Sequence, residues 1–190
     1  MTHRNDAAVD FLATRRSHPP RTLRHPAPDR AEILRLLTLA ARAPDHGKLE
    51  PWRFVVLERG GLDRLRSILR DHVLSGGQDA AVADKAASAL DSPVIVAVVS
   101  APVASDKVPE WEQVLSAGAV CLGLVNAALA SGWGAAWLTG PAVLDETFGR
   151  SHLGLSQDER IVGLVHLGSR GETPPERPRP DVAAKTTWLE

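Results

Sequence analysis

Three short segments of this 190-residue chain carry residue types suited to chemistry. The first is Arg15-Arg16-Ser17, at the end of a short amphipathic stretch and stopped by His18-Pro19-Pro20. Two guanidiniums and a hydroxyl on a fixed turn can hold a phosphate through charge-assisted, bidentate hydrogen bonds. A solvated basic helix end, where arginine complements the helix dipole, is the plainer reading of the same residues. The second segment runs from Arg42 to Trp52 (RAPDHGKLEPW), where Pro44 and Pro51 pin a polar loop containing His46. Loops fixed between rigid elements are where binding residues concentrate. An ordinary helix-to-strand connection beside a buried Trp52 is its alternative. The third is Gly132–Gly140 (GWGAAWLTG), whose bare backbone and aromatic rings could lie against a flat ligand. Close packing beside Trp133 and Trp137 would use the same glycines.

Several familiar chemistries have no local basis. There is no Gly-x-x-x-x-Gly-Lys-Ser/Thr phosphate loop and no Gly-x-Ser-x-Gly elbow. Gly132-Trp133-Gly134 lacks the third glycine of a dinucleotide fingerprint and follows a helix instead of a strand. The seven histidines form no His-x-x-x-His pair, and a single cysteine, Cys121, leaves no recognisable zinc spacing. One cysteine also excludes an intramolecular disulfide and points to a reducing compartment, with the cytoplasm as the expectation. The formal net charge of −1 provides no global field for nucleic acid or an anionic membrane. Residues 1–50 hold nine Lys/Arg against six Asp/Glu, so an anionic ligand would find its partners near the N-terminus. The polar N-terminal residues do not read as a secretory signal. The nearly apolar run from Ala117 to Ala130 contains Asn126 and is too short to span a bilayer, so it reads as a buried helix.

The elements that must position these segments follow from periodicity. Helices are predicted over Asp6–Arg15, from Pro28-Asp29 to Ala43, and over Leu62–Leu74, Ala80–Leu90 and Glu110–Ser131, with a helical turn at Leu144–Phe148. Glu110–Ser131 is apolar nearly all round, so both of its faces should be covered, and Ala117, Gly118, Ala119 and Gly123 would let another helix approach closely. Strands are predicted at Pro51–Leu57, Pro93–Ser100, Ala135–Leu138 and Arg160–Gly168; the β-branched run of the second suits burial on both faces. From Ser169 onward four prolines force an extended arm. Its end, Thr186-Thr187-Trp188-Leu189, is strand-forming, which suits either exchange between subunits or packing on its own domain. The whole reads as a single mixed α/β or α+β sheet domain over residues 1–190, with 169–190 as the arm.

In order, Arg15-Arg16-Ser17, then Ala-Pro-Asp-His-x-x-x-x-Pro-Trp (43–52), then Trp-Glu-Gln-x-x-Ser-Ala-Gly (111–118), then Gly-x-Gly-x-x-Trp (132–137) resemble the nitroreductase family, especially its compact bacterial branch. The resemblance runs from about Phe11 to Gly168. It implies an α+β fold with a mixed sheet flanked by helices, a domain-swapped homodimer, and FMN in clefts at the subunit interface. It implies that Arg15, Arg16 and Ser17 contact the FMN phosphate and the ribityl or pyrimidine edge. Arg42 and His46 would be flavin contacts from the opposite subunit, and Trp137, Leu138 and Thr139 would line the isoalloxazine face. A basic residue after the last strand closes the phosphate site in the family, with Arg170, Arg177 and Arg179 as candidates here. Lys48 and Glu50 stand where the wider family has Asn and Gln, and Leu138 where the compact branch often has Arg. The implied activity is a ping-pong transfer of hydride from NAD(P)H, through FMN, to a small electron-poor acceptor such as a nitroaromatic, quinone or enone. No protein nucleophile is required; His46 is a flavin contact or structural histidine before it is a general acid, and Cys121 is a packing residue. A non-catalytic flavin-binding dimer, serving as an FMN reservoir or redox module, is the other reading.

Overall fold

The computed structural model describes residues 3–140 and 145–189. Its centre is the run VIVAVVS, which forms β2 (Val94–Ser100), buried at every position. A strand without a polar face needs partners on both edges and cover on both sides. β1 (Trp52–Leu57) and β4 (Arg160–Gly168) pair with its two edges, and β3 (Gly134–Leu138) pairs with the far edge of β4, giving the order β1-β2-β4-β3. All three pairings are antiparallel, so a parallel member of the sheet is not among these four strands. A bulge between Val98 and Val99 shifts the register against β4.

Alternation along the strands divides the core in two. On one face Val94, Val96, Val98, Val165 and Leu167 pack against α2 (Arg30–Ala40) and α5 (Glu110–Ala130). On the other, Ile95, Ala97, Val99 and Leu164 meet α3 (Arg59–Ser75), α4 (Ala80–Ser88) and α6 (Glu146–Leu153). Asp29, Asp79 and Asp145 accept the amides of Glu32, Val82 and Phe148, so each of α2, α4 and α6 begins at a side-chain cap. At the α2–α5 crossing, a Cβ on Gly123 would lie 3.1 Å from the Ala40 carbonyl oxygen, so a small residue is needed for this approach.

The expected elements are present, with differences that have physical causes. α3 begins one turn before Leu62, because the Leu62 amide bonds back to the Glu58 carbonyl and Gly60-Gly61 follow the helical path. The expected turn at Leu144–Phe148 begins outside the described residues; from Asp145 the chain forms a full helix, stopped by Gly154 in the left-handed region (φ 67°). The complete cover expected for α5 is corrected. Trp111, Leu115 and Leu122 stay open to solvent at 65, 62 and 48% exposure, because the sheet and α2 reach only the helix's inner side. α1 (Asp6–Thr14) buries none of its residues. Beyond Ser169, which exchanges backbone bonds with Arg24, the arm has no strand among the described residues, and Trp188 and Leu189 are almost fully exposed. α5 is long and apolar enough to cross a membrane by length and composition, but its inner side is part of the core.

His166 is fully enclosed in β4, and neither ring nitrogen has a partner. Burial pushes its pKa down to about 4 from 6.5. A histidine kept neutral by folding contributes stability that is whole above pH 6.5 and is lost as pH falls toward 4, a change of roughly 3 kcal/mol. Urea unfolding at pH 7.5, 5.5 and 4.5 should show this loss, and His166→Leu should flatten it. An unchanged pH slope in that variant would contradict the assignment.

Candidate functional site

α1 ends where Arg15 turns to ψ 138°, and the prolines beyond prevent its continuation. The next residues dock on the sheet: the His18 amide donates to the Ala135 carbonyl of β3 at 2.9 Å. Leu23 fills the space a Cβ on Gly134 would need, and Arg24 and Ser169 form a two-bond bridge. The Arg15-Arg16-Ser17 turn is thereby fixed beside the start of β3. Arg15 Nη2 donates to Ser17 Oγ at 3.1 Å, and Arg16 Nη2 to the Pro175 carbonyl of the arm at 2.8 Å. The Nε–H groups of both arginines are buried and have no acceptor. Burial first, then the neighbouring charges of Arg16 and Arg179, push the Arg15 guanidinium below its ordinary value. A buried donor without an acceptor and crowded like charges both favour an anion at this turn.

The three candidates after β4 separate by what they touch. Arg170 donates to the carbonyls of Leu129 (2.6 Å) and Trp133 (3.2 Å), so it closes the C-terminal end of α5. Arg177 is exposed on the arm. Arg179 bonds to the Ala13 carbonyl at 3.2 Å, pairs with Glu176, and contributes its charge at Arg15.

β3 then presents Trp137, Leu138 and Thr139 at the surface, with Trp137 and Leu138 about two-fifths exposed. The Trp137 indole lies directly over Gly163 of β4, where any Cβ would collide with it. A Cβ on Gly118 of α5 would meet its far edge at 3.9 Å. Gly163 is a site residue that sequence reasoning missed; a glycine inside a nine-residue strand was the available signal. Trp133 is instead partly buried, its Nε1 donating to Glu32.

The Arg42–Trp52 loop lies on the N-terminal half of α5. Ser116 Oγ donates to the Pro44 carbonyl at 2.7 Å, and His46 Nδ1 pairs with Glu112 Oε1 at 2.8 Å. Gly47, Lys48 and Glu50 all have positive φ (76°, 56° and 48°). For the two non-glycine residues this is a strained conformation, of the kind that gathers at functional sites. Asp45 holds it in place: its carboxylate accepts the amides of Leu49 (3.3 Å) and Glu50 (2.8 Å). Arg42 is exposed at the loop's entrance. A cavity of about 370 Å³ lies between His46, Glu112 and Leu115.

A single chain does not bring the two groups together. His46 is bonded at Glu112, whereas Arg170, whose charge is felt at His18, closes α5 at Leu129. At 1.5 Å per residue these points are about 25 Å apart along the helix. Cys121 is buried in α5 and its thiol is pushed up to about 12, so it serves packing. No cluster of three metal-ligating side chains occurs among the described residues.

Two variants test these supports. Gly163→Ala should displace the Trp137 indole, change the near-UV circular dichroism, and destabilise the fold by about 1–3 kcal/mol. Asp45→Ala should free the strained loop, visible as faster tryptic cleavage after Lys48 in the folded protein. Unchanged cleavage would show that Ser116 and His46 hold the loop without it.

Sequence comparison places this geometry. A family model described as "Nitroreductase family" matches residues 12–169. The Escherichia coli (strain K12) protein named "Putative NAD(P)H nitroreductase YdjA" is 35% identical over 163 residues, covering 85% of this chain and 87% of that one. A Haemophilus influenzae protein named "Putative NAD(P)H nitroreductase" is 36% identical over 167 residues, covering 85% and 88%. Among solved structures, a nitroreductase-like family protein from Bacillus cereus superposes with a TM-score of 0.80 at 23% identity, over 100% of this chain and 99% of that one. A nitroreductase with bound FMN from Bacteroides fragilis superposes with a TM-score of 0.71 at 18% identity, over 96% and 98%. The α+β fold, the order of the motifs and the extent of the match agree: this chain belongs to the nitroreductase family.

Proposed function

We propose that the protein is an FMN-dependent oxidoreductase that carries reducing equivalents from NAD(P)H to a small electron-poor acceptor, a nitroaromatic, quinone or enone, and that it works as a homodimer. The observation that carries this reading is the pair of buried Nε–H groups on Arg15 and Arg16, which lack acceptors beside an exposed aromatic strand edge. The donor set fits the terminal phosphate of FMN: two guanidiniums, the Ser17 hydroxyl, and Arg179 drawn in by the arm. The names of the Escherichia coli and Haemophilus influenzae relatives support the NAD(P)H part, and the Bacteroides fragilis structure the FMN part.

When bound, FMN supplies the hydride chemistry, accepting from NAD(P)H and passing the equivalents to the acceptor. The chain's residues bind and orient it. Arg15, Arg16 and Ser17 hold the phosphate, with Arg179 closing that site in preference to Arg170. Trp137, Leu138 and Thr139 present a rigid surface to the ring system, Trp137 being braced on Gly163. Arg42 and His46 reach the same cofactor from the second copy, with Glu112 orienting the His46 ring. The positive charge of these arginines favours an anionic cofactor.

The dimer follows from what one chain leaves open. Trp111, Leu115 and Leu122 form an apolar stripe on α5, and Val9 and Leu12 are bare on α1. The arm, 169–190, stays on its own chain as far as Arg179, and beyond it the Thr186–Leu189 end finds cover on the second copy. The single domain comprises the rest of residues 1–190, and the lone buried thiol suits a cytoplasmic protein.

An absorbance spectrum of the purified protein, during titration with FMN and then with NADPH or NADH under argon, tests the reading. Bound-flavin bands bleached by either nucleotide are expected, and light scattering should give twice the 20.4 kDa chain mass. A protein that takes up no FMN defeats the cofactor assignment. Uptake without bleaching moves the function to a non-catalytic flavin-binding module. Arg16→Ala should weaken FMN binding ten- to a hundredfold, about 1.4–2.7 kcal/mol.

A further inference from the structure

A second basic site lies on the opposite face of the sheet from Trp137 and His46. Its cavity of about 170 Å³ has one wall from the Pro20–His25 turn and another from α3. The segment leading into β2, Leu90–Pro93, completes it. Arg21 and Arg24 come from the turn, and Arg59 and Arg66 from one face of α3. Four guanidiniums thus meet only two carboxylates, Asp63 and Asp91. Those carboxylates occupy one nitrogen each of Arg59 (Nε, 3.1 Å) and Arg66 (Nη1, 3.2 Å), which leaves most of both donor forks free. Arg24 Nη1 is held by the carbonyls of Arg21 (2.6 Å) and Leu23 (3.0 Å), which fixes its guanidinium at the rim. Among the described residues Arg21 has no side-chain partner. Ser92, more than nine-tenths buried in the lining, has a hydroxyl without one. A second cavity, which shares Asp63 and Arg66 with the first, lies between α3 and α4 along Ser67 and Arg70, where Arg70 is paired with Asp84.

We propose that this cavity binds the phosphoryl group of a small molecule, as a site separate from the proposed flavin cleft. A carboxylate offers two oxygens in one plane, whereas guanidiniums converging from two walls match the three-dimensional oxygen set of a phosphate or diphosphate. The surplus of two positive charges and the narrow, half-enclosed space strengthen each contact over its value at an open surface. The remainder of such a ligand would extend over Ser67 along the α3–α4 groove. One short segment joins this cavity to the proposed cofactor site. The turn that carries Arg21 and Arg24 carries Leu23 between them, and Leu23 is packed against Gly134 at the start of β3. His18, three residues before Arg21, holds the Arg15–Ser17 turn to Ala135.

The test is a calorimetric titration of the FMN-saturated protein with pyrophosphate, inorganic phosphate and ADP at constant ionic strength, repeated on R21A/R59A and, as a control, on R16A. Saturable binding of pyrophosphate is expected, weakened at least tenfold in R21A/R59A and unchanged in R16A. Neither Arg21 nor Arg59 is buried, so the double variant should fold, and its circular dichroism and melting temperature check that. ADP binding tighter than pyrophosphate would support the proposal and identify a nucleotide as the ligand extending over the groove. Pyrophosphate binding as tight to R21A/R59A as to the parent, or lost only in R16A, would overturn the proposal, as would the absence of saturable binding.

Discussion

Like charges crowded at the end of α1 set the terms for the rest of this molecule. Arg15, Arg16 and Arg179 approach one another while two of their Nε–H groups are shut off from water without an acceptor. Left alone, that arrangement opposes folding, since buried donors need acceptors and neighbouring cations repel. It persists because the surrounding structure over-determines it. The His18–Ala135 bond, the Arg24–Ser169 bridge and the Arg16–Pro175 contact each hold one part of the turn to the sheet or to the arm. Structure that holds cations together against their repulsion is organised before any anion arrives, which is the physical basis of the proposed phosphate site.

The sheet is what makes this possible. β2 is apolar on both faces, so it is central, and β3 is left as the edge strand on the far side of β4. An edge strand has backbone groups to spare, and Ala135 gives one to His18. The same edge then exposes Trp137 to Thr139, with Gly163 letting the indole lie flat on the neighbouring strand. The Arg15–Ser17 turn and the exposed aromatic segment are therefore both anchored to one short strand.

Much of this was legible in the sequence, and what was not has a physical reason. The strands were legible because of runs such as Pro93–Ser100 and Arg160–Gly168, and the helices because of their apolar spacing. The three chemical segments stood out because prolines or glycines bracket each one. The work of Arg170 could not be read: a basic residue after the last strand suits a phosphate site or a helix end equally, and only its bonds to Leu129 and Trp133 decide. The left-handed conformations of Lys48 and Glu50 were hidden because neither residue type announces them; the cause lies in Asp45. The importance of Gly163 depends on a tryptophan in another strand, which local pattern cannot express.

The incompleteness of one chain is itself informative. α5 was expected to be covered all round because it is apolar all round, yet its outer stripe is bare. A sequence pattern does not say which chain covers a helix face, and this one chain supplies only part of the cover. Trp111, Leu115 and Leu122 recur at intervals of about one and two helical turns, so they form one continuous strip. The strip on α5 and the arm ending in Trp188 and Leu189 are both open to solvent in the single chain. The separation of about 25 Å between His46 and the close of α5 at Leu129 has the same origin. If the two halves of the proposed site belong to one cofactor, as proposed, a second chain supplies one of them. In a two-fold pairing that runs the helices antiparallel, the His46 end of one chain is brought beside the Arg15–Arg16 end of the other. The bare strip and the divided site then have one explanation.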